Sequence, residues 1–72
     1  MLEWVKTRDD VTCEVYHRLY DHNLNKYVIQ INEVDKQYRV QILDHAPFHA
    51  KRLKIAKIAS QHIYEQIGGN NP

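Results

Sequence analysis

The chain has 72 residues, 43% of them hydrophobic and 26% charged, with a net charge of +1. That is one domain, too apolar for a disordered segment and too evenly charged for a histone-like polycation or an acidic nucleic-acid mimic. It has no apolar run long enough for a membrane-spanning helix and no secretion signal after Met1, and its lone Cys13 cannot form an internal disulfide, so a cytoplasmic protein is expected.

The chain divides into one domain over residues 1–67 and a flexible polar tail over 68–72, Gly-Gly-Asn-Asn-Pro. Leu2 to Lys6 reads as a strand closed by Thr7 to Asp10. Residues 11–20 alternate: Val11, Cys13, Val15, His17 and Leu19 point one way, and Thr12, Glu14, Tyr16, Arg18 and Tyr20 the other. Asp21 to Asn25 is turn chemistry, because Asp and Asn bond their own main chain and tolerate left-handed backbone. Residues 26–32 alternate again, with Tyr27, Ile29 and Ile31 on the core face. A short turn over Glu33 to Lys36 leads to residues 37–43, whose core face carries Tyr38, Val40 and Ile42.

The period then becomes helical. Asp44 is a candidate N-cap, Pro47 suits the first turn, and the helix is expected to run to Ile67. At 100° per residue, Leu53, Ala56, Ala59, Ser60, Ile63, Tyr64 and Ile67 share one face. The expected fold class is α+β: an antiparallel sheet of three to four strands with one C-terminal helix packed on one face.

Two surfaces are left over. The open sheet face should carry Thr12, Glu14, Tyr16, Arg18 and Tyr20 from one strand, Val28, Gln30 and Asn32 from the next, and Arg39, Gln41 and Leu43 from the last. It is either an ordinary solvated face or a binding surface, since Tyr and Arg are favoured at interfaces. The second surface is a stripe of Ile55, Ile58 and His62, opposite the helix's core face. It is either chance exposure or a contact for a partner, a second copy of the chain being the simplest. The helix start is basic: Lys51, Arg52, Lys54 and Lys57 face Glu65 alone. That would suit an anion or describe a solvated face, with Arg52 and Lys57 snorkelling beside the core stripe.

Little here points to chemistry. His45 and His49 stand four apart, which on a helix could place two imidazoles on one metal, but no third ligand is assured. Cys13 and His17 would lie roughly 13 Å apart along a strand, too far to share a metal. Cys13 with His17 or His22 is a nominal nucleophile–base pair, yet Cys13 falls on the core face, where cysteines are inert. The two glycines, Gly68 and Gly69, form no phosphate loop, so neither enzyme activity nor a cofactor or small-molecule substrate is expected.

The end of the chain resembles the last part of double-stranded RNA-binding domains, in which a Lys-Lys-x-Ala-Lys run opens a helix and contacts phosphates. Lys54, Ala56 and Lys57 match; Leu53 stands where the first lysine belongs, and the glycines before the helix and the leading helix are missing. The open sheet is similar in residue type to sheets that read the DNA major groove, with Arg18, Arg39, Gln30 and Gln41 as base-reading types. The first reading is a small non-enzymatic protein-binding module, a regulator or inhibitor of a larger protein, of the kind bacteriophages and mobile elements encode against host defences. Tyr16, Arg18, Tyr20, Gln30, Arg39 and Gln41, or Ile55, Ile58 and His62, would carry its contact. The alternative is a nucleic-acid-binding module using Arg18, Arg39, Lys51, Arg52, Lys54 and Lys57.

Overall fold

A computed structural model describes residues 1–43 and 45–69. Five strands are followed by one helix: β1 (Leu2–Arg8), β2 (Val15–Asp21), β3 (Lys26–Val34), β4 (Gln37–Ile42), β5 (Phe48–Ala50) and α1 (Leu53–Gly69). The strands form one antiparallel sheet in the order β1-β2-β3-β4-β5, so each pairs with its sequence neighbours. This is the expected α+β class, with the sheet open and the helix at the C-terminal end.

Residues 11–14 alternate like a strand, but β2 begins only at Val15. Asp9 winds them into a turn instead. Its carboxylate accepts the amides of Val11 (2.8 Å) and Thr12 (3.3 Å), and its carbonyl accepts the Cys13 amide at 2.8 Å. Cys13 has φ 61° and is exposed, not buried in the core as expected. Thr12 and Glu14 sit in this turn and leave the sheet face, while Thr7 and Arg8 belong to β1.

A β-bulge interrupts the expected alternation of β3. Leu19 pairs with Ile29 and Tyr20 pairs with Tyr27, so Val28 is an extra residue on β3. Tyr27 is thereby turned to the open face and is 48% exposed, whereas Val28, expected outside, is buried. The Val28 carbonyl accepts the Leu43 amide at 3.0 Å. Leu43 is in a turn with φ 45°, beyond the end of β4.

The residues expected as the first turns of the helix do not belong to it. Phe48-His49-Ala50 is a strand, pairing Phe48 with Val40, His49 with Arg39 and Ala50 with Tyr38. The helix starts at Leu53, so Pro47 is not in it. His45 lies in the β4–β5 connection and His49 on a strand, so the helical i, i+4 metal geometry does not exist. The proposed N-cap Asp44 lies outside the described residues. So do residues 70–72 of the tail; Gly68 and Gly69 belong to α1.

The core is the helix-facing side of the sheet. Leu19, Val28, Ile29, Ile31, Val40 and Ile42 bury there against Ala56, Ser60 and Tyr64. Each buried aliphatic contributes about 1.5–3 kcal/mol. Ala56 and Ser60 are fully buried, and their small size lets the helix lie close. The Ser60 hydroxyl is satisfied by donating to the Lys57 carbonyl at 3.1 Å. Ile63, expected on this inner face, is 36% exposed. The helix lies over β3, β4 and β5, which leaves the whole opposite face of the sheet uncovered.

Candidate functional site

Antiparallel register places the open-face side chains in three rows. Thr7, Tyr16, Asn32, Arg39 and His49 form the first across all five strands. Val5, Arg18, Gln30 and Gln41 form the second, and Glu3, Tyr20 and Tyr27 the third. Directly opposed side chains interact, so each row is a contact chain.

Arg18 is the hub. Its Cζ lies 5.1 Å from the Tyr16 ring centroid and 5.6 Å from that of Tyr27, and its Nε donates to Gln30 Oε1 at 3.2 Å. Both aromatic distances are within cation–π range. Tyr27 meets Tyr20 edge-to-face at 5.1 Å, and Tyr20 meets His22 in the same way at 4.8 Å. The ends are tied down. The Tyr20 hydroxyl donates to Asn25 Oδ1 at 3.1 Å, and His22 Nε2 lies 2.9 Å from Glu3 Oε1. The Tyr16 hydroxyl donates to the Glu14 carboxylate, which, with some desolvation, raises the Tyr16 pKa above its ordinary value.

The result is a pre-ordered strip of three tyrosines, an arginine and a histidine on β2, β3 and the turn between them. Tyr16, Arg18, Tyr20 and Gln30 come together in it as the sequence suggested. Arg39 stands one row away beside His49. Gln41 is partly used internally, since its Nε2 donates to the carbonyls of Leu43 (3.1 Å) and His45. A shallow hollow of about 160 Å³ opens beside the strip, lined by Tyr27, Val28, Ile29, Gln30, Gln41 and Leu43. Sequence reasoning missed Tyr27, since nothing in the local pattern announces the bulge that exposes it. It also missed His22, Glu3 and His49. The pairing of His49 with Arg39 depends on a strand of three residues, too short to show a period.

The second surface is also present. Ile55 and Ile58 are 54% and 58% exposed, and His62 lies beside them with its Nε2 3.0 Å from Gln66 Nε2. Ile58, Gln61, His62 and Glu65 border a shallow groove of about 340 Å³. The six basic residues of the nucleic-acid reading do not share a face. Arg18 and Arg39 are on the open sheet; Lys54 and Lys57 are on α1, which packs on the other side; Lys51 and Arg52 lie in the link between β5 and α1. Lys57 is further engaged above Trp4. Among the described residues, no group of three or more His, Cys, Asp or Glu converges where a metal ion could be held. Compared with known proteins, the chain matches no family model, no curated protein and no solved structure.

Proposed function

We propose that the protein is a non-enzymatic binding module that engages a larger protein through the open face of its sheet and acts as its regulator or inhibitor. The observation that carries this reading is Arg18 held against Tyr16 and Tyr27, with Tyr20 and His22 extending the strip. Tyr and Arg are enriched among the residues that dominate binding energy at protein interfaces, because each buries a large flat group and keeps a polar tip. Here they are already ordered by one another, so little conformational entropy remains to be lost on docking. A host-defence component is the kind of target such a small module would occupy.

The nucleic-acid reading draws on Arg18, Arg39, Gln30 and Gln41 of the same face, without the helix lysines. The two readings part under salt. Phosphate contacts are lost steeply as salt rises, whereas an aromatic-centred protein contact persists. Capture of partners with the tagged protein, with and without nuclease and across a salt series, tests the choice. Retention of one stoichiometric protein supports the protein-binding module; loss of all bound material on nuclease treatment supports the alternative. Self-association through Ile55, Ile58 and His62 is a separate contact, read by the sedimentation of wild type against Ile58→Glu.

A further inference from the structure

The helix leaves part of its own side of the sheet uncovered. It lies over β3, β4 and β5, and reaches β1 through side chains. On that side β1 presents Trp4, Lys6 and Arg8, and register sets Lys6 directly opposite His17 of β2. His17 is half-buried, and its other neighbour across the sheet, Ile31, is fully buried. From the helix, Lys57 extends over Trp4 with Nζ 5.4 Å from the indole centroid, and Gln61 Oε1 accepts the indole N–H at 3.1 Å. Lys6 and His17, paired across β1 and β2, and Lys57, held over Trp4 two residues along β1, thus gather on the helix-facing side of the sheet.

Among the described residues, neither lysine has a carboxylate within 4.0 Å. The Glu3 carboxylate, 2.9 Å from His22 Nε2, belongs to the open face. Glu65 of α1 is hydrogen-bonded to Gln61, and Asp21 of β2 to Tyr64. Cations gathered without a carboxylate partner repel. Burial, Lys57 and Lys6 together push the His17 pKa below its ordinary value. An oxyanion between them would reverse that repulsion. Two ammonium groups with three donors each, beside an imidazole, match a dianion with several acceptor oxygens better than a single carboxylate.

We propose that this cluster of Lys6, His17 and Lys57 beside Trp4 binds a phosphate-type oxyanion, either free or carried on a nucleotide. It lies on the opposite side of the sheet from the Arg18 strip and uses none of its residues.

Trp4 is the sole tryptophan of the chain and lies beneath Lys57, so its emission reports on the cluster directly. The intact protein is titrated with inorganic phosphate, with chloride at matched ionic strength as the control. A nucleoside 5′-monophosphate and its parent nucleoside follow. The expected result is a saturable change in Trp4 emission with phosphate, weakened about tenfold by Lys6→Gln, which removes one charge-assisted contact and leaves the indole's own partners in place. His17→Gln gives a second, independent weakening. Tighter binding of the nucleotide than of phosphate, with the nucleoside silent, assigns the group to a nucleotide; equal binding assigns it to free phosphate. A response indistinguishable from chloride overturns the proposal. So does binding of the nucleoside as tight as that of the nucleotide, or unchanged binding in folded Lys6→Gln and His17→Gln.

Discussion

The hydroxyl of Tyr64, on the helix, donates a 2.6 Å hydrogen bond to Asp21 Oδ2 at the end of β2. Both residues are buried, at 7% exposure each. The other Asp21 oxygen accepts the amides of Asn23 (2.9 Å) and Leu24 (3.4 Å). One carboxylate thus joins the helix, the end of β2 and the turn that leads into β3. That turn positions Asn25, the partner of the Tyr20 hydroxyl on the open face.

This pair makes stability depend on pH at both extremes. The Tyr64 bond and the turn amides hold Asp21 below its ordinary 3.8, so its contribution is present above that value and lost as pH falls through the folded pKa. Desolvation and the Asp21 carboxylate push Tyr64 from 10.0 up to about 12, so its contribution is present below pH 10 and lost as pH rises toward 12. Denaturant titrations of wild type and Tyr64→Phe across this range should show a plateau of added wild-type stability that narrows at both ends. A constant difference from acid to alkali would contradict the assignment.

His17 supplies a slope nearer neutrality. Burial, Lys57 and Lys6 hold it below 6.5 in the folded chain. Its neutral form is favoured by folding, so its contribution is fully present above pH 6.5 and declines as pH falls toward the folded value. In His17→Gln that part of the pH dependence should vanish, as read by melting temperature from pH 8 down to pH 5.

Core and outer-stripe isoleucines should respond very differently. Ile31 is fully buried at the centre of the sheet, and Ile31→Ala should cost about 2–5 kcal/mol. That is a large share of the stability of so small a domain. Ile58 is 58% exposed, and Ile58→Glu should change stability by no more than about 0.5 kcal/mol. Chemical denaturation of the two variants checks both values.

The β3–β4 hairpin carries a correctable strain. Asp35 and Lys36 have φ 52° and 65°, the backbone of a type I′ turn, in which the second position favours Gly. Lys36 lacks that freedom, so Lys36→Gly should stabilise the protein by about 1 kcal/mol. A lower denaturation midpoint for the variant would show that the turn does not hold this geometry in solution.

The strands at Leu2–Lys6, 29–32 and 37–42 were legible because alternation there coincides with real pairing. So was the inner helix face of Ala56, Ser60 and Tyr64, with Ile55, Ile58 and His62 left outside. The failures have specific causes. Val11 and Cys13 alternate as a strand would, but the Asp9 carboxylate offers their segment better hydrogen bonds as a turn. Tyr27 and Val28 exchange faces through a bulge that period-two reasoning cannot register. Pro47 looked like a helix start, yet the next three residues pair along β4, a tertiary demand that outweighs the local signal. The centre of the candidate site was therefore half-legible: Tyr16, Arg18 and Tyr20 came from alternation, and Tyr27 from the fold alone.

Protein binding by the Arg18–Tyr27 strip is read out by capture with surface variants. Tagged wild type, Arg18→Ala, Tyr27→Ala and Ile58→Glu, each verified as folded by circular dichroism, are used to draw partners from host lysate after nuclease treatment and at high salt. Wild type and Ile58→Glu should retain the same stoichiometric protein, and Arg18→Ala and Tyr27→Ala should lose it. Equal retention by all four, or release of everything by nuclease, would contradict the account.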